Sequence, residues 1–217
     1  MIEVSEHGPT RIVTICDNPF NQNCFLLLRE GASSCLVVDP GYGYELIAGE
    51  IRGRGLSVER IVATHTHFDH VASVALLQRD FGGAPFLFHP DDQATLATAN
   101  VFALFLKTSR IAPPASCLPF GDGDLIDFGG DAFRAFHAPG HTPGGLLFQY
   151  RDILFSGDLL LGPPSSLRRL PGLDAAQLAA SRTRVLRSFP DDTCVLPGHG
   201  RPHTIGELRR RFGRGDV

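Results

Sequence analysis

Long apolar runs are missing from this chain of 217 residues. No stretch approaches the roughly 20 residues a helix needs to cross a bilayer, and the opening Met1-Ile2-Glu3-Val4-Ser5-Glu6 lacks the basic and apolar parts of a signal peptide. A membrane protein is not expected, and the cytoplasm is the expected location. An excess of positive charge is missing too: the formal net charge is −3, so there is no basic field to grip nucleic acid or an anionic membrane. Lysine is nearly absent, Lys107 being the only one, and Arg209-Arg210-Arg211 near the C-terminal end suits the end of a solvated helix. The five cysteines, Cys16, Cys24, Cys35, Cys117 and Cys194, are odd in number and form no C-x-x-C pair. They read as small reduced core residues rather than disulfides or metal ligands. No low-complexity tract, short repeat or linker divides the chain, so a single domain over residues 1–217 is expected.

What the chain does have is a dense run of histidine. Thr64-His65-Thr66-His67-Phe68-Asp69-His70 follows directly on the apolar run Ile61-Val62-Ala63. Residues two apart on an extended chain point the same way, so His65 and His67, leaving a strand end, can grip one metal ion together. Asp69 and His70 fall where the next helix should begin, turned toward a different point and able to hold a second ion. A helix N-terminus there would lower the His70 pKa and keep its ring neutral.

Around that motif, aliphatic and β-branched runs at 11–16, 23–28 and 34–38 predict an antiparallel set of strands. Asp39-Pro40-Gly41 is a turn closing the third, and a carboxylate at that strand end could orient a ligand histidine. A helix is expected over 44–52, a strand buried on both faces over 60–63, a helix from Val71 to the Gly82-Gly83 stop, and a strand over 84–88. Pro90-Asp91-Asp92 opens a helix reaching Leu106. Its apolar residues Leu96, Val101, Phe102, Leu104 and Phe105 are expected in the core. Residues 107–119, rich in Pro and Ser, form a loop of a length that often covers a site. A second antiparallel set follows at 125–128, 132–136, 146–150 and 153–155, then a helix over 173–189, a strand over 193–196 and a helix over 205–212. The order implies two similar halves, each a sheet covered by helices on one side. Stacked face to face, they make an α/β fold of four layers, an αββα sandwich with two mixed sheets inside and the helices outside.

Three more candidate ligands stand where a strand has ended and a glycine permits a tight turn. They are His141 in Pro139-Gly140-His141, Asp158 in Ser156-Gly157-Asp158, and His199 in Pro197-Gly198-His199. With the first motif the count closes: five histidines and two aspartates make two sets of three plus one carboxylate that can bridge. The remaining histidines, His7, His89, His137 and His203, read as structural or solvated.

In these residues the chain resembles the metallo-β-lactamase superfamily, in which H-x-H-x-D-H and later His, Asp and His occur in this order on an αββα sandwich. The resemblance implies His65, His67 and His141 on one metal, Asp69, His70 and His199 on a second, and Asp158 bridging. It leaves Asp39 and Thr142 as candidates for supporting the ligands. A cysteine is common at the place of Asp158 in true β-lactamases, which points away from antibiotics. Asn18-Pro19-Phe20 leading into Asn23-Cys24-Phe25, Val38-Asp39-Pro40-Gly41 and Ser156-Gly157-Asp158 look most like the glyoxalase II (hydroxyacylglutathione hydrolase) branch of thioesterases. Two departures bear on glutathione recognition. The chain ends at Val217, without the C-terminal helical region of glyoxalase II, and Gly162-Pro163-Pro164-Ser165-Ser166-Leu167-Arg168-Arg169 replaces a run found in many relatives.

The expectation is therefore a hydrolase with two divalent metal ions, zinc first and iron or manganese as alternatives. Water shared between the two ions loses its proton near neutral pH and attacks a small-molecule thioester, with Asp69 a candidate proton acceptor. A persulfide dioxygenase of the same fold, holding one iron on His65, His141 and Asp158, is the rival reading. A lactonase, a phosphodiesterase or a non-enzymatic binding module are further alternatives. All seven ligand positions being filled argues against the last.

Overall fold

The computed structural model describes residues 1–161 and 172–213. The Gly162 to Arg169 segment singled out above lies outside the described residues. The first half runs β1 (Ile2–His7), β2 (Thr10–Ile15), β3 (Cys24–Arg29), β4 (Ser34–Val38), α1 (Tyr44–Gly53), β5 (Ser57–Val62), α2 (Phe68–Val71), α3 (Val74–Asp80), β6 (Phe86–Phe88), a 3-10 turn (Pro90–Asp92), α4 (Gln93–Phe105) and β7 (Cys117–Pro119). Its strands lie in chain order across one sheet. They are antiparallel from β1 to β4, where short turns connect them, and parallel from β4 to β7, where a helix is interposed each time.

The second half runs β8 (Leu125–Phe128), β9 (Asp131–His137), β10 (Leu146–Tyr150), β11 (Ile153–Gly157), α5 (Ala175–Ser188), β12 (Cys194–Pro197), β13 (His203–Thr204) and α6 (Ile205–Gly213). Here only β11 and β12, separated by α5, pair in parallel, so both sheets are mixed.

Three apolar clusters define the layers. The strand period of two sends Phe25 and Leu27 of β3 toward the second sheet, among Phe133, Phe148 and Phe155. Leu26 and Leu28, on the other face, meet Ile47 and Ile51 of α1 and Val74 and Leu77 of α3. On the far side, Val185 and Leu186 of α5 and Ile205 and Leu208 of α6 cover Leu147, Leu154 and Val195. Each such buried side chain stabilises by about 1.5–3 kcal/mol. The result is the αββα sandwich the element order implied. The parallel pairs β4/β5 and β11/β12 end side by side, and the loops leaving those ends carry the candidate ligands. Among the described residues no helix is long and apolar enough to cross a membrane.

Several local expectations give way to tertiary context. β1 escaped the sequence because its residues are exposed, so Ile2 and Val4 carry no core pattern. The helix after the motif breaks at Ala72-Ser73, where the Ser73 N–H donates to the Pro40 carbonyl at 2.9 Å. On α4 the core face is Ala99 and Ala103, with Leu96 and Phe102 half-buried, while Val101, Leu104 and Phe105 are 64%, 79% and 80% exposed. A helix apolar on both sides gives its sequence no means of marking the inner one. The loop over residues 107–119 is tied down at several points and ends in a strand. Asn100 exchanges two hydrogen bonds with the Ile111 backbone at 2.7 and 2.8 Å, Gln78 accepts from the Ala115 N–H at 2.7 Å, and β7 pairs with β6. All five cysteines are free, but only Cys24 and Cys35 are buried. Cys16 and Cys194 are partly covered, and Cys117 is exposed on β7, the last strand of its sheet.

Candidate metal centre

Loops from both sheets meet at the ends of the parallel strands and bring together all seven side chains singled out from the sequence. His65, His67 and His141 form one group, Asp69, His70 and His199 another, with the donor atoms of each group within 4.8 Å of one another; Asp158 joins His65 and His70 in a third. The pairs within and between groups are close. His67 Nδ1 and His141 Nε2 lie 3.0 Å apart, and His199 Nε2 and Asp69 Oδ2 3.4 Å apart. Asp158 stands between them, with Oδ2 3.4 Å from His141 Nε2 and 3.7 Å from His199 Nε2, and Oδ1 3.6 Å from His70 Nε2.

The orientation of the rings follows from what holds their outer nitrogens. Asp39 accepts from the Thr64 N–H at 2.7 Å and from Thr64 Oγ1 at 2.6 Å. Its Oδ2 also lies 3.0 Å from His70 Nδ1, so that nitrogen donates and Nε2 is the one turned inward. Thr64 Oγ1, its proton already given to Asp39, faces His65 Nδ1 at 3.2 Å and leaves His65 Nε2 inward in the same way. His199 Nδ1 faces the Phe20 carbonyl at 3.0 Å. Asp39 adopts φ 50°, a left-handed conformation unusual for a side-chain-bearing residue, and the close approach it gives to Thr64 and His70 explains why the strain is tolerated. The Pro-Gly-His turn before His199 needs its glycine for space: a Cβ on Gly198 would collide with Asp158 Oδ1 and His70 Cε1.

Burial and charge pull the imidazoles in opposite directions. Burial pushes His65 well below its ordinary value and His141 down to about 4, in the second case against the Asp158 charge. Burial pulls on His70 as well, yet Asp158, Asp39 and Asp69 carry it up to about 9. The expectation that a helix N-terminus keeps His70 neutral fails for two reasons: α2 is a single turn with His70 in its last positions, and carboxylates surround the ring. Burial is the largest single influence on His199 and pulls it down, but the Asp69 hydrogen bond together with the charges of Asp158 and Asp69 raises it overall. Burial works against the charge of Asp69, but His199 and His70 hold its carboxyl below the ordinary range.

The donor set fits metal ions. His65 Nε2, His70 Nε2 and Asp158 Oδ1 are buried and make no hydrogen bond among the described residues, a costly arrangement unless a cation takes those lone pairs. Donors about 2.0–2.1 Å from one zinc-sized ion in tetrahedral array lie roughly 3.3 Å apart, and the distances above bracket that separation.

Of the two residues proposed as supports, Asp39 touches His70 directly, whereas Thr142 reaches Asp92 and no ligand. Three contributors were missed. Asn23 donates to the Pro197 and Gly200 carbonyls on either side of His199, Phe20 offers its carbonyl, and Asp92 sits buried between two ligand loops. Asp92 was read only as part of a helix start, which any acidic residue there would satisfy; the Phe20 carbonyl leaves no mark in a sequence.

The profile of the Metallo-beta-lactamase superfamily matches residues 17–199, and the chain belongs to that superfamily. Membership and the buried donor groups together make it a metal-dependent hydrolase. Among its relatives, GloC of Haemophilus influenzae, a hydroxyacylglutathione hydrolase, is 29% identical over 203 residues, spanning 88% of this chain and 91% of its own. Two solved structures are similar. TTHA1623 in a di-iron-bound form has a TM-score of 0.78 and 32% identity over 91% of this chain and 96% of its own. BLEG-1, a B3 metallo-beta-lactamase, has a TM-score of 0.76 and 28% identity over 91% and 95%.

Proposed function

We propose that the chain hydrolyses a small thioester with two divalent metal ions, in the manner of a hydroxyacylglutathione hydrolase. The reading is carried by one observation, the place of Asp158 within 3.4–3.7 Å of donors from both groups. In this reading His65, His67 and His141 hold one ion, Asp69, His70 and His199 hold the other, and Asp158 reaches both. When bound, such a pair acidifies water and polarises a carbonyl oxygen. The similarity to GloC favours the thioester, and that to TTHA1623, solved in a di-iron-bound form, supports keeping iron alongside zinc in the reading.

The chain's own residues do the rest. Asp69, whose Oδ2 lies 3.4 Å from His199 Nε2 among the donors of the second group, would be the carboxylate placed to take the proton that the attacking water gives up. Asp39, through His70 Nδ1, and the Phe20 carbonyl, through His199 Nδ1, hold two rings in the orientation that turns Nε2 inward. No general acid is required for a thioester, because a thiolate with a pKa near ~8.5 departs without a proton.

Metal analysis of the purified protein, joined to assays on S-lactoylglutathione, other thioesters, a lactone, a β-lactam and glutathione persulfide, tests the reading. Two ions per chain and thioester turnover without oxygen uptake are expected. One iron per chain with oxygen consumed on the persulfide would overturn it, as would turnover confined to the β-lactam, an arm chosen for the similarity to BLEG-1.

A further inference from the structure

Asp92, at the start of α4, is fully buried, and among the described residues it has no ion-pair partner within 4.0 Å. Its carboxylate is instead surrounded by donors from two loops. Oδ2 accepts from the Thr66 N–H at 2.9 Å and from Thr142 Oγ1 at 3.0 Å, and Oδ1 accepts from the Gly144 N–H at 2.6 Å. The Asp92 carbonyl accepts from Thr66 Oγ1 at 2.9 Å. Thr66 lies between His65 and His67 on the loop of the first sheet. Thr142 and Gly144 follow His141 on the loop of the second.

We infer that Asp92 is a positioning residue that clamps the His65-Thr66-His67 loop to the His141 loop, and so sets the spacing of the three histidines for a single ion. A buried carboxylate without a cation is costly, and its charge is tolerable here only because three donors converge on it. Those donors come from the two segments whose ligands have to meet: His67 Nδ1 and His141 Nε2 stand 3.0 Å apart across the same junction. Gly144 belongs to the clamp, since a Cβ there would press on the Asp92 carboxylate at 2.8 Å. The second group, Asp69, His70 and His199, is held by Asp39 and Phe20 and has no bond to Asp92. The clamp therefore acts on one ion position and spares the other.

The inference rests on the three-histidine ion position of the proposed function, and metal binding tests it without any substrate. Zinc affinity is measured by competition with a chromophoric chelator, and the visible spectrum of the cobalt-substituted protein reports geometry. In Asp92→Asn the amide presents an N–H to one of the donors. The ion held by His65, His67 and His141 should weaken by roughly 10–100-fold, the scale of losing a group that orients a ligand, with its cobalt bands shifted and the other ion held as before. Gln78→Ala is the control. It removes bonds to Ala84, Ser116 and Ala115 in α3's surroundings, and should lower thermal stability while leaving both affinities unchanged. Thr142→Val keeps the shape and removes a single donor, so it should weaken the same ion severalfold even if Asp92→Asn fails to fold. Wild-type affinity for both ions in Thr142→Val, or equal weakening of both in Asp92→Asn, overturns the clamp. A wild-type chain that takes up no metal overturns the underlying reading, and the clamp with it.

Discussion

The two donor groups on either side of Asp158 are built from similar residues and poised oppositely. His65, His67 and His141 are all buried imidazoles, and burial drives His65 and His141 toward the neutral form. Asp69, His70 and His199 carry a carboxylate of their own, back onto Asp39, and leave the His199 side chain 25% exposed; there the charges win and raise His70 and His199. The difference teaches that histidine beside histidine is ready for a cation at neutral pH, whereas histidine beside aspartate must first surrender a proton to one. Metal uptake at the second group should therefore compete with protons in a range where the first does not.

Removing what the groups share should erase the contrast. Asp158→Asn is expected to weaken both ions and to lower kcat/KM by ~10³-fold, the scale of losing a principal electrostatic stabiliser. Retention of two tight ions by this variant, in a chelator titration, would contradict the bridging role. Single-group variants should split the effect. His67→Ala loses the first ion and most turnover with the fold intact by circular dichroism, while His199→Ala loses the second ion alone. If both variants lose the same ion, the division into two groups is wrong. Asp39→Asn leaves His70 in place but loosens its ring, so the second ion should weaken by about 10–100-fold with the first nearly unaffected.

The smallest effect is on stability without metal. His141, depressed to about 4, contributes stability present above the unfolded imidazole value of about 6.5 and lost as pH falls through 4. His70, raised to about 9, contributes stability present below about 6.5 and lost as pH rises through 9. The Tm of the metal-free protein should peak near pH ~6.5 and fall on both sides, and saturating zinc should flatten the alkaline side. A metal-free Tm that climbs steadily from pH ~5 to ~9 would show that the two groups are not poised as described.

Much of this centre could be read from the chain because its donors follow strand ends through glycine turns, at His141, Asp158 and His199, and because two-residue spacing aims His65 and His67 together. The sandwich was legible for a similar reason, the alternation of strands and helices leaving few ways to bury two sheets. What stayed hidden depends on partners far away in sequence. Asp92 becomes informative only once Thr66 and Gly144 surround it, and the inner face of α4 is chosen by Phe68 and Ile111 rather than by the helix itself. The His70 pKa was misjudged because a helix dipole is local and visible, whereas Asp39 and Asp158 arrive from other strands.

Four of the seven donors arrive with the first sheet and three with the second. A chain still emerging from the ribosome, with only its leading half exposed, offers an incomplete set of donors, and capture of ions is therefore expected as the closing event of maturation rather than its nucleus. In refolding with a zinc indicator, near-ultraviolet dichroism should recover before free zinc disappears. Zinc sequestered ahead of that signal would mean that the ions template the docking of the halves.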